Sequence, residues 1–297
     1  MPTETFTDVH GVSVLSRWWP IESPRAVVLL SHGASEHSGR YDDFARSLNA
    51  SQFYVAALDH RGHGGTADGP TAVVGAGGGQ ALIDDLDELH HRVRGVVGED
   101  VPVFLFGHSL GAIIALVYLV QHSSALAGAV LMGVPAAVNE ASDTAALLAG
   151  FDTPDGRALP AGELLRSFND PFEPARTPFD WLTRDEAAVD AYLADPQCGD
   201  NHPLTYGFLL DLFLIAAPAN DALAKVSCPL LLLSGDRDSS SAMGASLGLL
   251  RNRLNEAGVA DVDEKLYPGA RHELLNELNR DDVVADVTNW ILRHVTP

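Results

Sequence analysis

Short apolar runs recur along the chain, each bounded by Gly, Pro or polar residues: Val27–Leu30, Tyr54–Leu58, Val103–Phe106, Ala129–Met132 and Leu230–Leu233. Runs this short and this continuous predict strands buried on both faces of a parallel sheet. Between them, Tyr41–Ala50, Ala81–Val97 and Ala112–His122 carry helical spacing. Strand and helix in alternation predict an α/β architecture with helices on both faces of the sheet. Gly11–Trp19 predicts an antiparallel edge strand ahead of the first parallel one, and Val262–Tyr267 a last strand. Asp281–Val295 predicts a closing amphipathic helix, with acidic residues in its first turn to match the helix dipole.

The pattern changes in the middle of the chain. From Ala136 to Lys225 the strand signal disappears, and Pro154, Pro160, Pro171, Pro174, Pro178, Pro196, Pro203 and Pro218 punctuate short helical pieces. The strand pattern resumes at Cys228–Pro229–Leu230. A helical cap at 136–225, inserted into a discontinuous core of 1–135 and 226–297, is the expected organisation. At 297 residues the chain is long enough for one such core with its insertion.

Charge narrows the function classes. The sequence has 19 basic and 40 acidic side chains, a formal net charge of −21, and its only lysines are Lys225 and Lys265. Phosphate backbones and anionic lipid surfaces are bound by clustered Lys and Arg, so neither nucleic acid nor basic-patch membrane docking is expected. No run of about 18 apolar residues predicts a membrane span. Met1–His10 is polar and acidic, unlike a secretory leader. Cys198 and Cys228 form no CxxC pair and no disulfide framework, which points to a reduced, cytoplasmic setting without structural zinc.

The chemistry gathers at Gly107–His108–Ser109–Leu110–Gly111, a G-x-S-x-G between the strand Val103–Phe106 and the helix Ala112–His122. In that context it reads as a nucleophile elbow. The turn strains the serine and lifts Oγ above the sheet, and a Cβ at Gly107 or Gly111 would strike neighbouring backbone. A serine hydroxyl needs a base, and the base needs a carboxylate to orient it. In this architecture they follow in the order Ser, Asp or Glu, His. His272, after a strand and the turn Pro268–Arg271, suits the base, whereas His122 and His294 fall on helices and His202 in the insertion. The acid should follow Leu230–Leu233, where Asp236 and Asp238 both stand. The oxyanion donors expected are the amides of Leu110, next to the nucleophile, and of Ala34, in the loop Ser31–His32–Gly33–Ala34 after the first parallel strand. His32 itself suits loop packing better than base chemistry.

Several segments resemble one family along nearly the whole chain. SHGASEHSGRYDDFARSL (Ser31–Leu48), LDHRGHGGTADGP (Leu58–Pro70), GHSLGA (Gly107–Ala112), LLLSGDRD (Leu231–Asp238), YPGARHELLNE (Tyr267–Glu277) and FDWLTRDEAAVDAYLADPQCG (Phe179–Gly199) are similar to motifs of α/β-hydrolases of the monoacylglycerol lipase and lysophospholipase type, the S33 serine aminopeptidase group. The resemblance implies an α/β-hydrolase fold with a mostly parallel central sheet and a helical cap. It selects Asp238 over Asp236, and His272 as the base. It implies a serine hydrolase of carboxylic esters that uses no cofactor and no metal, and a small-molecule substrate with an apolar acyl arm. Of the departures from the pattern one matters most: where relatives usually continue the acid loop with Pro-Val-Val, the chain has Ser239–Ser240–Ser241, so that loop is expected to be more mobile or differently packed.

Other features carry less. Asp59, His60 and His63 on a Gly-rich loop are expected to be structural rather than metal ligands, and His90–His91 to be solvated. The apolar segment Gly207–Ala217 predicts a helix packed on the core, with one face free to line an acyl pocket or touch lipid. Two rival functions remain at this stage. One is an amide or prolyl-peptide hydrolase that holds an α-amino group with Glu163, Glu173 or Glu186. The other is a non-catalytic receptor on the same scaffold.

Overall fold

The structure is a computed structural model that describes residues 1–295. Eight strands form one sheet among these residues: β1 (Thr3–Thr7), β2 (Ser13–Trp19), β3 (Ala26–Ser31), β4 (Phe53–Leu58), β5 (Val103–His108), β6 (Gly128–Met132), β7 (Leu230–Gly235) and β8 (Val262–Tyr267). The order across the sheet is β1-β2-β4-β3-β5-β6-β7-β8. β2 runs antiparallel to both neighbours, and every pairing from β4 to β8 is parallel. Each expected apolar strand is present and fully buried, extended by one or two residues.

One expectation needs correction. Gly11–Trp19 forms a strand from Ser13, but it is not the edge. β1 pairs outside it, with Thr3 opposite Arg17 and Thr7 opposite Ser13. β1 has one buried side chain, Phe6, and so offers no apolar run to read.

The helices are α1 (Asp42–Ala50), α2 (Gly78–Val97), α3 (Leu110–His122), α4 (Ala141–Leu148), α5 (Pro154–Ala158), α6 (Gly162–Ser167), α7 (Glu186–Ala194), α8 (Tyr206–Asn220), α9 (Ala245–Glu256) and α10 (Arg280–His294). They sort the core into two apolar layers. On one face Leu82, Ile83, Leu86 and Leu89 of α2 and Ile114–Leu119 of α3 pack with Leu247 and Leu250 of α9. On the other, Phe44 and Leu48 of α1 meet Val283, Val287, Trp290 and Ile291 of α10. Burying apolar surface on both faces removes it from water at about 25 cal/mol per Å², which is why alternation is missing from these strands.

Between β6 and β7 no strand forms among the described residues. Helices α4–α8 and short 3₁₀ turns occupy this stretch, joined to the rest by the isolated bridge Ala72–Leu204. α8 packs on α2 and α3, and its Phe208, Leu210 and Leu212 belong to the first core layer. A third, smaller apolar cluster lies within the insertion: Phe179, Trp181, Leu182, Val189, Tyr192 and Cys198. No described helix is long and apolar enough to cross a membrane.

Candidate active site

The elbow is built as its sequence requires. Ser109 joins β5 to α3 with φ 54° and ψ −116°. A non-glycine residue there costs about 1–3 kcal/mol and persists only where the surroundings fix it. They do: the Ser109 amide donates to Met132 O of β6 at 2.9 Å, and its carbonyl accepts from Ala112 N at 2.9 Å. The two glycines permit the close approach. A Cβ on Gly107 would lie 2.5 Å from Gly111 O, and one on Gly111 would fall on the carbonyl oxygens of Ser31 and His32.

β7 and β8 lead into the loops that carry the residues expected as acid and base. His272 Nδ1 lies 3.0 Å from Asp238 Oδ2. Both residues are buried, and Asp238 is completely so. The other oxygen of Asp238 accepts from Ser240 N at 3.0 Å, Ser240 Oγ at 2.8 Å and Ser241 N at 3.4 Å. Burial alone would raise this carboxyl; the His272 charge and these hydrogen bonds override it and hold it below the ordinary aspartate range. Burial would lower the His272 imidazole, but the Asp238 carboxylate, assisted by Glu273 and Glu36, lifts it above the ordinary histidine value of 6.5. The His272 ring is held between Trp181 and His108, each with its ring centroid 4.8 Å away.

Asp236 is doing something else. It is partly exposed, and its Oδ1 accepts from Gly269 N at 2.7 Å, fixing the turn that leads to His272. It makes no pair with neighbouring Arg237, which is exposed.

The serine run after Asp238 binds the loop down at three points. Ser239 Oγ donates to Phe168 O of the insertion at 2.6 Å. Ser240 reaches Asp238 and His272, and Ser241 Oγ donates to Asp238 O at 3.0 Å and accepts from Gly244 N at 3.0 Å. In this chain the three serines hold the loop by hydrogen bonds.

Ser109, Leu110, Ala34 and His272 line one cavity of about 110 Å³. Among the described residues, neither the Leu110 nor the Ala34 amide donates to another backbone group. The Leu110 amide sits at the first turn of α3, where helix N–H groups have no internal acceptor and the dipole is positive. The cavity's far wall is carbon: Ile113, Leu182, Leu209, Leu212 and Phe213 among others. One face of the apolar α8 therefore does line the pocket, while both oxygens of Asp211 accept from Arg157 Nη2, at 2.6 and 2.7 Å.

Reading the sequence for isolated motifs missed a buried ionic cluster under the base. Arg40 Nη1 is 2.5 Å from Glu36 Oε2 and 2.7 Å from Glu273 Oε1. Glu36 Oε1 accepts from Gly33 N at 2.5 Å and from Tyr41 Oη at 2.7 Å. Because the Tyr41 proton goes to Glu36, His108 Nδ1, 3.1 Å from Tyr41 Oη, must be the donor there. Burial would raise both carboxyls, but Arg40 holds them below the ordinary glutamate range. The cluster ties the loop carrying Ala34 to the residue after His272. Its signal was the EHSGRY run together with the glutamate beside the histidine.

The remaining histidines fall mostly as expected. His32 is fully buried, its Nδ1 2.8 Å from Gly33 O and its Nε2 accepting from His60 N at 2.9 Å. Burial lowers His32, His60 and His63, the last to about 3, so all three stay neutral. Asp59 is committed to Ser38 N at 2.9 Å, Gly65 N at 2.8 Å and Arg17 at 3.2 Å. His202 lies outside the cavity lining, with Nε2 2.5 Å from Gly62 O. His90 is a correction: it is buried, with Nδ1 2.8 Å from Tyr118 Oη, and only His91 is solvated.

Elsewhere, His37, Asp195 and Cys198 cluster closely enough to suggest a metal. Gly39 N donates to His37 Nδ1 at 3.1 Å, so Nε2 keeps the proton and gives it to Asp195 at 3.0 Å. Burial also raises the Cys198 thiol. A neutral imidazole in this tautomer has no lone pair left for a cation. Glu163, Glu173 and Glu186 are exposed and absent from the cavity wall.

Comparison with known proteins gives a consistent picture. The model of the family "Serine aminopeptidase, S33" matches residues 22–279. The chain is 32% identical to a monoacylglycerol lipase of Mycolicibacterium smegmatis, covering 98% of this chain and 97% of that one. It is 30% identical to the monoglyceride lipase of Homo sapiens, covering 96% and 88%. Among solved structures it is similar to a thermostable carboxyl esterase from Bacillus coagulans in complex with glycerol, with TM-score 0.89 and 28% identity over 100% of both chains. The chain belongs to the serine aminopeptidase S33 family of α/β-hydrolases and, on that fold, to the monoacylglycerol lipase-like group.

Proposed function

We propose that the protein hydrolyses monoacylglycerol esters through a Ser109–His272–Asp238 triad. The single observation that carries this reading is that a strained Ser109 lines the same cavity as a His272 already paired to buried Asp238, and that the cavity's other wall is apolar. Ser109 Oγ attacks the ester carbonyl as His272 Nε2 takes its proton. The amides of Ala34 and Leu110 receive the oxyanion. His272 then protonates the departing alcohol, and a water activated by the same imidazole releases the acid. No step calls for a metal or a cofactor.

The organisation into a core of 1–135 and 226–297 with a cap of 136–225 supports the same reading, although Thr296 and Pro297 lie outside the described residues. Leu164, Leu165, Phe168, Leu209 and Phe213 of the cap segment supply carbon surface for an acyl arm. Glu36 and Glu273 line the head of the cavity, with Arg40 as their shared counter-charge. This anionic surplus favours a neutral glycerol ester over an anionic one and repels the carboxylate product. Free, buried Cys198 and Cys228 suit a reducing, cytoplasmic setting.

The test is a panel of monoacylglycerols of varied chain length, lysophospholipids and aminoacyl arylamides. Neutral glycerol monoesters are expected to give the highest kcat/KM and the arylamides no turnover. Faster turnover of an arylamide than of any ester would overturn the assignment.

The pH profile follows from the electrostatics. The base works only when neutral, and its surroundings favour the protonated form. The acid limb of kcat/KM is therefore expected at a midpoint above 6.5, the ordinary histidine value. Initial rates across the pH range check this; a midpoint below 6.5 would contradict it.

A further inference from the structure

The Ser240 hydroxyl contacts both members of the acid–base pair. Its Oγ is 2.8 Å from Asp238 Oδ1 and 2.9 Å from His272 Nδ1. The side chain is buried and lines the same cavity as Ser109. A hydroxyl has one proton, and a carboxylate can only accept it, so the O–H points at Asp238. The oxygen lone pair then faces the Nδ1–H of His272, which Asp238 Oδ2 accepts at 3.0 Å. The Nδ1–H is thus shared between two acceptors, and the hydroxyl dipole turns its negative end to the imidazole.

We infer that Ser240 is a positioning residue that fixes the His272 ring and its tautomer from the side opposite to the substrate's reacting atoms. This rests on the triad reading above. Two independent features support it. Ser240 is itself fixed, because its amide donates to Asp238 Oδ1 at 3.0 Å and its carbonyl accepts from Ala136 N at 2.8 Å, where the insertion begins. No other side-chain hydroxyl is hydrogen-bonded to the His272 ring among the described residues. The other charged or titratable groups facing the ring are Glu273 beside it, Glu36 and His108, and none of them bonds Nδ1.

Threonine and valine at this position have nearly the same shape and differ by the hydroxyl. Ser240→Val is expected to lower kcat about fivefold to tenfold, the size of one neutral hydrogen bond, with KM little changed. Loss of the facing lone pair destabilises the imidazolium, so the acid limb of kcat/KM should move to lower pH by a few tenths of a unit. Ser240→Thr should restore both. Ser240→Ala, smaller than serine, controls for crowding and should behave as Val does. Wild-type values of kcat and of the limb in Val and Ala would overturn the proposal, as would a fall in kcat that Thr does not rescue or a limb that moves upward. Fluorophosphonate labelling of the unmutated enzyme, run alongside, separates the readings: if wild type is not labelled at Ser109, the triad reading fails and the Ser240 proposal with it, whereas labelled wild type with unchanged Val and Ala variants overturns the Ser240 proposal alone.

Discussion

Ser109→Ala is expected to lower kcat on a monoacylglycerol by a factor on the order of 10⁵–10⁶ while leaving the protein folded. The size follows from where Ser109 stands. Its Oγ is the only part of the elbow that the substitution removes. The backbone that strains the position is fixed by Met132 O, Ala112 N and the two glycines, none of which changes. Alanine tolerates the positive φ of 54° no worse than serine does, so the melting temperature should move little. The residual rate would reflect the Ala34 and Leu110 amides and substrate positioning alone. Steady-state rates paired with thermal denaturation make the measurement; activity within a hundredfold of wild type in a folded variant would place the nucleophile elsewhere.

Asp238→Asn is expected to cost about 10⁴ in kcat, against less than tenfold for Asp236→Asn. Three donors converge on Asp238 Oδ1, from Ser240 N, Ser240 Oγ and Ser241 N. In an asparagine, the carbonyl must therefore take the Oδ1 place. That turns the NH₂ group toward His272 Nδ1, which is forced to become an acceptor. The proton moves to Nε2, the nitrogen that must receive the serine proton, and the base is disabled by tautomer rather than by displacement. The acid limb should also fall, since the carboxylate field that raises His272 is gone. Asp236 bonds only Gly269 N across the turn before His272, so its loss loosens the loop without changing the base. Comparing the two variants on one ester decides between the aspartates; equal losses would contradict the assignment.

How much of this was legible in the sequence depended on how local each signal was. Buried parallel strands declare themselves as continuous apolar runs, so β3 to β7 could be read. β1 could not, because one side chain of its five is buried and its stability comes from pairing with β2. The elbow was readable because the strand, the two glycines and the helix lie within a dozen or so positions. His272 could be placed from its position after a strand and a turn, whereas Asp238 needed the family pattern to be selected over Asp236. The Arg40–Glu273 pair spans 233 positions, and nothing local in either segment announces the other. His90 was misread for the same reason: its partner Tyr118 lies on the next helix, and a charged neighbourhood in sequence concealed a buried site in space. Ser239–Ser241 were legible as a departure but not as a device, because their partners, Phe168 and His272, come from elsewhere in the chain.

Covalent trapping asks whether Ser109 is the nucleophile of an ester hydrolase. The folded protein should be treated with a fluorophosphonate, digested, and the labelled peptide located by mass. One adduct is expected, on Ser109, formed faster as pH rises through the His272 limb and competed by a monoacylglycerol. An adduct on another serine, or no adduct on a folded protein, would contradict it.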